Sequence, residues 1–363
     1  MLTATGRSGK TCVDRPSDKR RDDKIAGMSD TGRMDDAAPE MSDPEDLALW
    51  ALHCYCPNAK RTPHQVVSDG NNGRILYAAR HGALRSHLDI SDAQLSQLLE
   101  FGLLERDGEK LRTAFPVLGV REMTPLRAAL RRLATPLVDA VEKPTRDIAA
   151  ELRHRGLRHS LYAMVFGYAL DLLLWQQLRA EAAVPDTTLT AERPWWNGAF
   201  WAIHPPRAGS SGTNFYRLDE DLTLVAVWSE ATLRRLDDLA TTPGMAESLR
   251  DRHTTVVTDP EGHLWRVRLD DGRSAIPLVG VGDALDDLAS ALAAPVSAFL
   301  LSRACQEAHR YVSTDDRTVA TVIISHELIW EITEQLIARG TCTRAPQGDD
   351  LTGLLLLLAN RGS

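Results

Sequence analysis

The chain has 363 residues, with 42 Lys and Arg against 50 Asp and Glu, a formal net charge of −8 and 43% hydrophobic residues. These fractions exclude a globally disordered chain, and the acidic balance excludes a wholly basic coat for nucleic acid. A small DNA-reading module stays open, because binding depends on where the charge sits.

The length calls for two or three domains. The basic residues are 6 Lys and 36 Arg, which reads as coding bias in a GC-rich genome. Cys12, Cys54, Cys56, Cys305 and Cys342 are an odd, scattered set with no secretory signal before them. They point to a reducing cytoplasm rather than a disulfide framework. No apolar run reaches the ~18–20 residues that a membrane span needs, so no membrane contact is expected.

Residues 1–41 are poor in large apolar side chains and dense in mixed charge, and are expected to be a disordered tail. Ala4 to Thr11 fits the relaxed form of a P-loop. It lacks the strand before and the helix after that aim backbone N–H groups at phosphate, so it reads as a chance match. Asp43 as N-cap and Pro44 at the first helical position predict a helix running to about Tyr55. His53, Cys54, Cys56 and His64 are metal-ligand types. The Cys-Tyr-Cys spacing does not suit a zinc knuckle, and they read as core or surface residues.

Residues 60–117 carry the most information. Pro63 to Val67 starts a helix, Asp69 to Gly73 breaks it, and Arg74 to His81 makes another. A turn or short helix follows from His81 to Leu88. Ser91 caps a helix over Asp92–Phe101, with Leu95, Leu98 and Leu99 at i, i+3 and i+4. Gly102 stops it. Leu103–Arg106 and Lys110–Phe115 read as strands joined by the Asp107-Gly108 turn.

This order resembles the winged helix-turn-helix of bacterial regulators of the ArsR and MarR kind. The resemblance rests on Ser91 to Leu104 and on the wing Glu105–Phe115. It implies that Ser91–Phe101 is a recognition helix presenting Ser91, Gln94, Ser96 and Gln97 to bases, with Arg106, Lys110 and Arg112 on phosphates or the minor groove. It also implies double-stranded DNA as partner and a homodimer on paired half-sites. One departure stands out. The helix holds no Arg or Lys and carries Asp92 and Glu100, and residues 58–115 hold 8 basic against 7 acidic residues. Phosphate neutralisation carries most DNA affinity, so this balance also suits a protein-docking module.

Residues 121–183 are helical in pattern, with Thr124 capping and Pro125 at N1 of a first helix, a second over 145–152 and a third over 160–183. Residues 121–179 carry a net charge of +4, read as a solvated helix face. Strands are predicted at 200–204, 214–218, 222–228, 254–258 and 263–267, with a helix at 229–240. Trp195, Trp201, Tyr216 and Trp228 are a candidate pocket for a small-molecule effector. The plainer reading is the core of a small sheet. Helices return at 284–293, 296–311 and 327–339, around the β-branched run Val319–Ser325, and a last strand covers 353–358. His326 to Trp330 is one residue from a zinc-protease motif, but Trp330 sits where the second ligand belongs. No catalytic constellation, metal site or cofactor motif is found.

The fold expected is α+β and mostly helical. It has a tail (1–41), a winged helix-turn-helix domain (42–120), a helical linker or dimerisation region (121–190) and a C-terminal α+β domain (191–363) that senses a ligand or mediates assembly. The function expected is a cytoplasmic, non-enzymatic transcriptional regulator. The alternatives are a winged helix that binds protein, and an enzyme whose site lies in the C-terminal domain.

Overall fold

The computed structural model describes residues 42–207, 211–218, 220, 222–229, 232, 256–258, 264–267, 276–346 and 352–359. The expected tail, with its P-loop-like stretch, and most of the helix expected at 229–240 lie outside the described residues. The fold is α+β.

The described residues open with a single 3-10 turn, Leu47–Leu49, capped by Asp46 Oδ1, which accepts from the Ala48 N–H at 3.0 Å. A strand, β1 (Ala51–Tyr55), follows where the sequence predicts a helix. The cap signal is real but serves only this turn. β1 then pairs along its whole length with β6 (Ala199–Ile203), a partner about 150 residues away that local propensity does not register.

Next come α1 (Pro63–Val67), α2 (Asn72–Ala79), β2 (Ala83–Leu84), a 3-10 turn (Arg85–His87), α3 (Asp92–Glu100), β3 (Leu104–Asp107) and β4 (Lys110–Thr113). α3 forms as its sequence dictates. Ser91 Oγ accepts from the Gln94 N–H, and Gln94 Oε1 accepts from the Ser91 N–H, both at 3.2 Å. This closes a capping box that satisfies two otherwise orphaned donors. Leu95 and Leu98 are buried, and Gly102 ends the helix at a φ of +67°. Gly108 takes a φ of +61° in the tight turn between β3 and β4, where a side chain would be strained. The three strands make one sheet in the order β2-β4-β3.

After β5 (Val117–Leu118), α4 runs unbroken from Val120 to His154, where the sequence predicts separate helices. Pro125, Pro136 and Pro144 lie inside it. An interior proline costs ~3 kcal/mol. Here one apolar stripe (Met123, Leu126, Leu130, Val138, Val141, Ile148) is buried along the whole length. Packing against α6 (Ala284–Leu300) and α8 (Arg317–Ala338) outweighs the prolines. α8 absorbs Val319–Ser325, the β-branched run. That run is buried except at its first residue, so packing again overrides propensity. The apolar stretch Ala163–Leu173 is a π-helix, continued by α5 (Leu174–Ala180).

The strands expected after residue 199 are present. β7 (Ser211–Arg217) and β8 (Leu222–Ser229) join β11 (Leu278–Val279) and β12 (Leu355–Ala359) in a sheet ordered β11-β12-β8-β7. β9 (Val256–Thr258) and β10 (Leu264–Val267) pair with each other. α7 (Arg303–Ala308) links α6 to α8.

Two hydrophobic cores result. The first gathers residues from Leu47 to Phe115, and the second runs from Leu118 to Leu357. β6 serves both. Phe200 and Ala202 enter the first core, while Ala199, Trp201 and Ile203 enter the second, as the alternation of a strand requires. Among the described residues no helix is long and apolar enough to cross a membrane.

Candidate nucleic-acid interface

α3 lies with Leu95 and Leu98 against the first core and with Asp92, Ala93, Ser96 and Glu100 exposed. The structure therefore leaves the outer face of this helix open. Of the residues singled out from the sequence, Ser96 is exposed and Gln97 half-buried on α3, and Arg106, Lys110 and Arg112 are exposed on the β3–β4 hairpin. Ser91 and Gln94 are committed elsewhere. Besides closing the capping box, the Gln94 amide donates to Asn71 Oδ1 at 2.6 Å and to Asn72 Oδ1 at 3.3 Å. It fastens α3 to the start of α2.

Charge on this face is sparse and partly matched. Arg85 pairs with Asp92, and Arg112 pairs with Glu105 across the hairpin at 2.6 Å. Trp195 closes the end of α3. Its Nε1 donates to Glu100 at 3.2 Å, and its ring stacks on Phe101 with centroids 6.3 Å apart.

The four aromatics of the candidate pocket do not line one cavity. Trp195 packs at the end of α3, as described. Trp201 is buried between His53 and His326, with centroids 5.5 and 5.4 Å away. Tyr216 and Trp228 lie on β7 and β8, bridged by Asn214. Its amide donates to the Tyr216 hydroxyl at 3.0 Å and its oxygen accepts from Trp228 Nε1 at 3.2 Å. Trp201, Tyr216 and Trp228 stand on strands, and Trp195 stands outside them.

A second polar cluster escaped the sequence reading. Arg207, just after β6, donates to Glu327 (3.0 Å), Glu331 (2.7 Å) and Glu334 (3.3 Å) of α8. From α4, Arg127 donates to Glu327 at 2.8 Å and to the Pro205 carbonyl at 2.9 Å, and Arg131 donates to Glu331 at 3.3 Å. Glu327 and Glu331 are each 1% exposed. Burial alone would raise the Glu327 carboxyl. The His326 ring nitrogen 3.4 Å away and the Arg207 and Arg127 charges outweigh it and hold the group well below the usual carboxylate range. Burial, reinforced by His326 with its ring 4.3 Å away, pushes the His53 imidazole down. The recess these groups line holds about 10 Å³, roughly the space of a single water and far below the roughly 300–1,000 Å³ of a ligand pocket. The cluster is thus an interlocked seam. Its sequence signal is three glutamates at i, i+4 and i+7 on a helix rich in buried apolar residues. Among the described residues no group of three or more His, Cys, Asp and Glu could hold a metal ion.

No protein-family model, curated protein or solved structure matches the chain.

Proposed function

We propose that residues 63–113 are a winged helix that docks on double-stranded DNA, and that the chain is a cytoplasmic transcriptional regulator. The observation that carries this reading is the sheet order β2-β4-β3 beside a capped α3 whose outer face is open. Helix, short strand, turn, helix and hairpin in that order fit the ArsR and MarR arrangement. Base reading then falls to Ser96 and Gln97, since Gln94 is engaged. Arg106 and Lys110, with Arg112 once released from Glu105, meet phosphates. Two copies on half-sites ~34–36 Å apart would make a homodimer, with a small-molecule effector acting through the larger core.

A specific observation favours a second reading. The outer face of α3 carries two carboxylates and no cation, which suits docking on a protein. Selection from a random duplex library, followed by salt titration, separates the two. The regulator reading expects an enriched sequence and a log–log salt slope of about −4 to −5 for a dimer with two or three phosphate contacts per copy. Arg106→Ala with Arg112→Ala should make that slope shallower by one or more. No enrichment and no effect of the double variant would overturn it.

A further inference from the structure

Cys54, Cys56 and His64 converge on the face of β1 turned away from His53. Cys54 and Cys56 lie two residues apart, so they share one side of the extended chain. Cys54 stands opposite Phe200 in the β1–β6 pairing, and each thiol acts on the other's charge. His64 reaches the same place from α1. Its Nε2 is 3.0 Å from the Leu52 carbonyl oxygen, and its ring meets Phe200 edge-on with centroids 5.4 Å apart. That fixes the imidazole and leaves Nδ1 buried with no well-formed hydrogen bond. The neighbour that acts on its charge is the Cys54 sulfur. Cys54, on a strand at the edge of its sheet, is less deeply buried than Cys56, Cys305 and Cys342.

We propose that Cys54 is a peroxidatic thiol, oxidised by a hydroperoxide and resolved by Cys56 into a Cys54–Cys56 disulfide. The Cys54 thiolate attacks the terminal peroxide oxygen. The O–O bond breaks, the alcohol or water leaves, and Cys54 becomes a sulfenic acid. The Cys56 sulfur then attacks the Cys54 sulfur, expelling water and closing the disulfide, so one peroxide is reduced for two thiols oxidised. Two extended residues separate Cα atoms by roughly 6.6–7.2 Å, at the outer limit of what a disulfide spans. The end of β1 must therefore tighten slightly as the bond closes.

The electrostatics fit these roles. The neighbouring Cys56 thiol and the His64 charge hold the Cys54 thiol well below its ordinary value against the opposing effect of burial. Burial would lower His64, but the Cys54 charge raises it. An imidazolium beside a thiolate is the pairing that activates a cysteine. Cys305 and Cys342, by contrast, are pushed up to about 12 by burial. They serve as inert internal controls.

The test uses the full-length protein with Cys12→Ser, since Cys12 lies outside the described residues. Treated with stoichiometric hydrogen peroxide, the tryptic fragment 34–60 should lose two hydrogens while Cys305 and Cys342 stay reduced. Cys56→Ser should stop the reaction at a dimedone-trappable sulfenic acid on Cys54. His64→Gln should slow oxidation about tenfold or more, because an ordinary thiol is only a few per cent thiolate at neutral pH. A further measurement needs no substitution at the cluster. Iodoacetamide should alkylate Cys54 at a rate nearly independent of pH between about 6 and 8, where an ordinary thiol accelerates steeply. Cys54 alkylation that rises with pH like a model thiol, oxidation no faster than that thiol, or a His64→Gln rate equal to the parent would overturn the proposal. None of these readouts involves DNA, so they stand or fall separately from the regulator reading.

Discussion

The α3–hairpin face and the α4–α8 seam handle charge in opposite ways. On the first, Arg85–Asp92 and Arg112–Glu105 are exposed side-chain pairs in water. In the seam, Arg127 and Arg207 share a carboxylate that is 1% exposed, and Arg207 spends all three of its nitrogens on glutamates. Exposed pairs are screened and exchange partners freely. Buried ones cannot lose a member without stranding its partner. The contrast separates a face that can meet a ligand from a seam that fixes how two helices lie.

Glu327→Ala should have the largest effect. It leaves Arg127 and Arg207 facing a buried gap and should cost about 3–5 kcal/mol, read as a lower urea midpoint. A midpoint that barely moves would mean water enters the seam and the contrast is overstated. Phe200→Ala empties part of the first core without touching any charge. A loss of about 3–5 kcal/mol there shows how far packing alone can match the seam.

The seam should also respond to acid. Folded His53 resists protonation, whereas the unfolded chain takes a proton near pH 6.5. The unfolded state then binds more protons, so stability falls as pH drops from about 6.5, by at most about 1.4 kcal/mol per pH unit for this group. Glu327 works further down the scale. Its carboxyl is depressed on folding, so its contribution is full above about pH 4.3 and is lost as pH falls below that value. Urea midpoints of His53→Phe from pH 7 to 5 should show a shallower decline than the parent, and an equal slope would remove His53 from the account. On the open face, Ser91→Ala should cost about 1 kcal/mol through the lost cap. Smallest of all, Arg106→Ala with Arg112→Ala should leave the midpoint unchanged, as expected of exposed cations that the fold itself does not need.

Legibility in the sequence followed the range of the interactions. α3 could be read because its cap, its apolar spacing and its terminal glycine all lie within twelve consecutive residues. The β3–β4 turn was legible for the same reason. β1 was misread as helix because Asp43 and Pro44 speak locally, while the pairing that decides the matter comes from β6. Pro125 reads locally as a helix start, yet burial carries one helix through it and on through Pro136 and Pro144. The seam was invisible, since Arg207 and Glu327 are 120 positions apart. Cys54, Cys56 and His64 stand out by residue type, but their spacing suits no metal site. Only the fold shows which neighbours the thiols keep.

The double duty of β6 bears on heredity. Many two-part proteins can exchange their parts, because recombination between them leaves each self-sufficient. A break near residue 120 would here strip β1 of its hydrogen-bonding neighbour and remove Trp196, Phe200 and Ala202 from the first core. The bare edge would invite pairing with other chains. The amino-terminal part is therefore no portable cassette, because a strand from far along the chain completes its core.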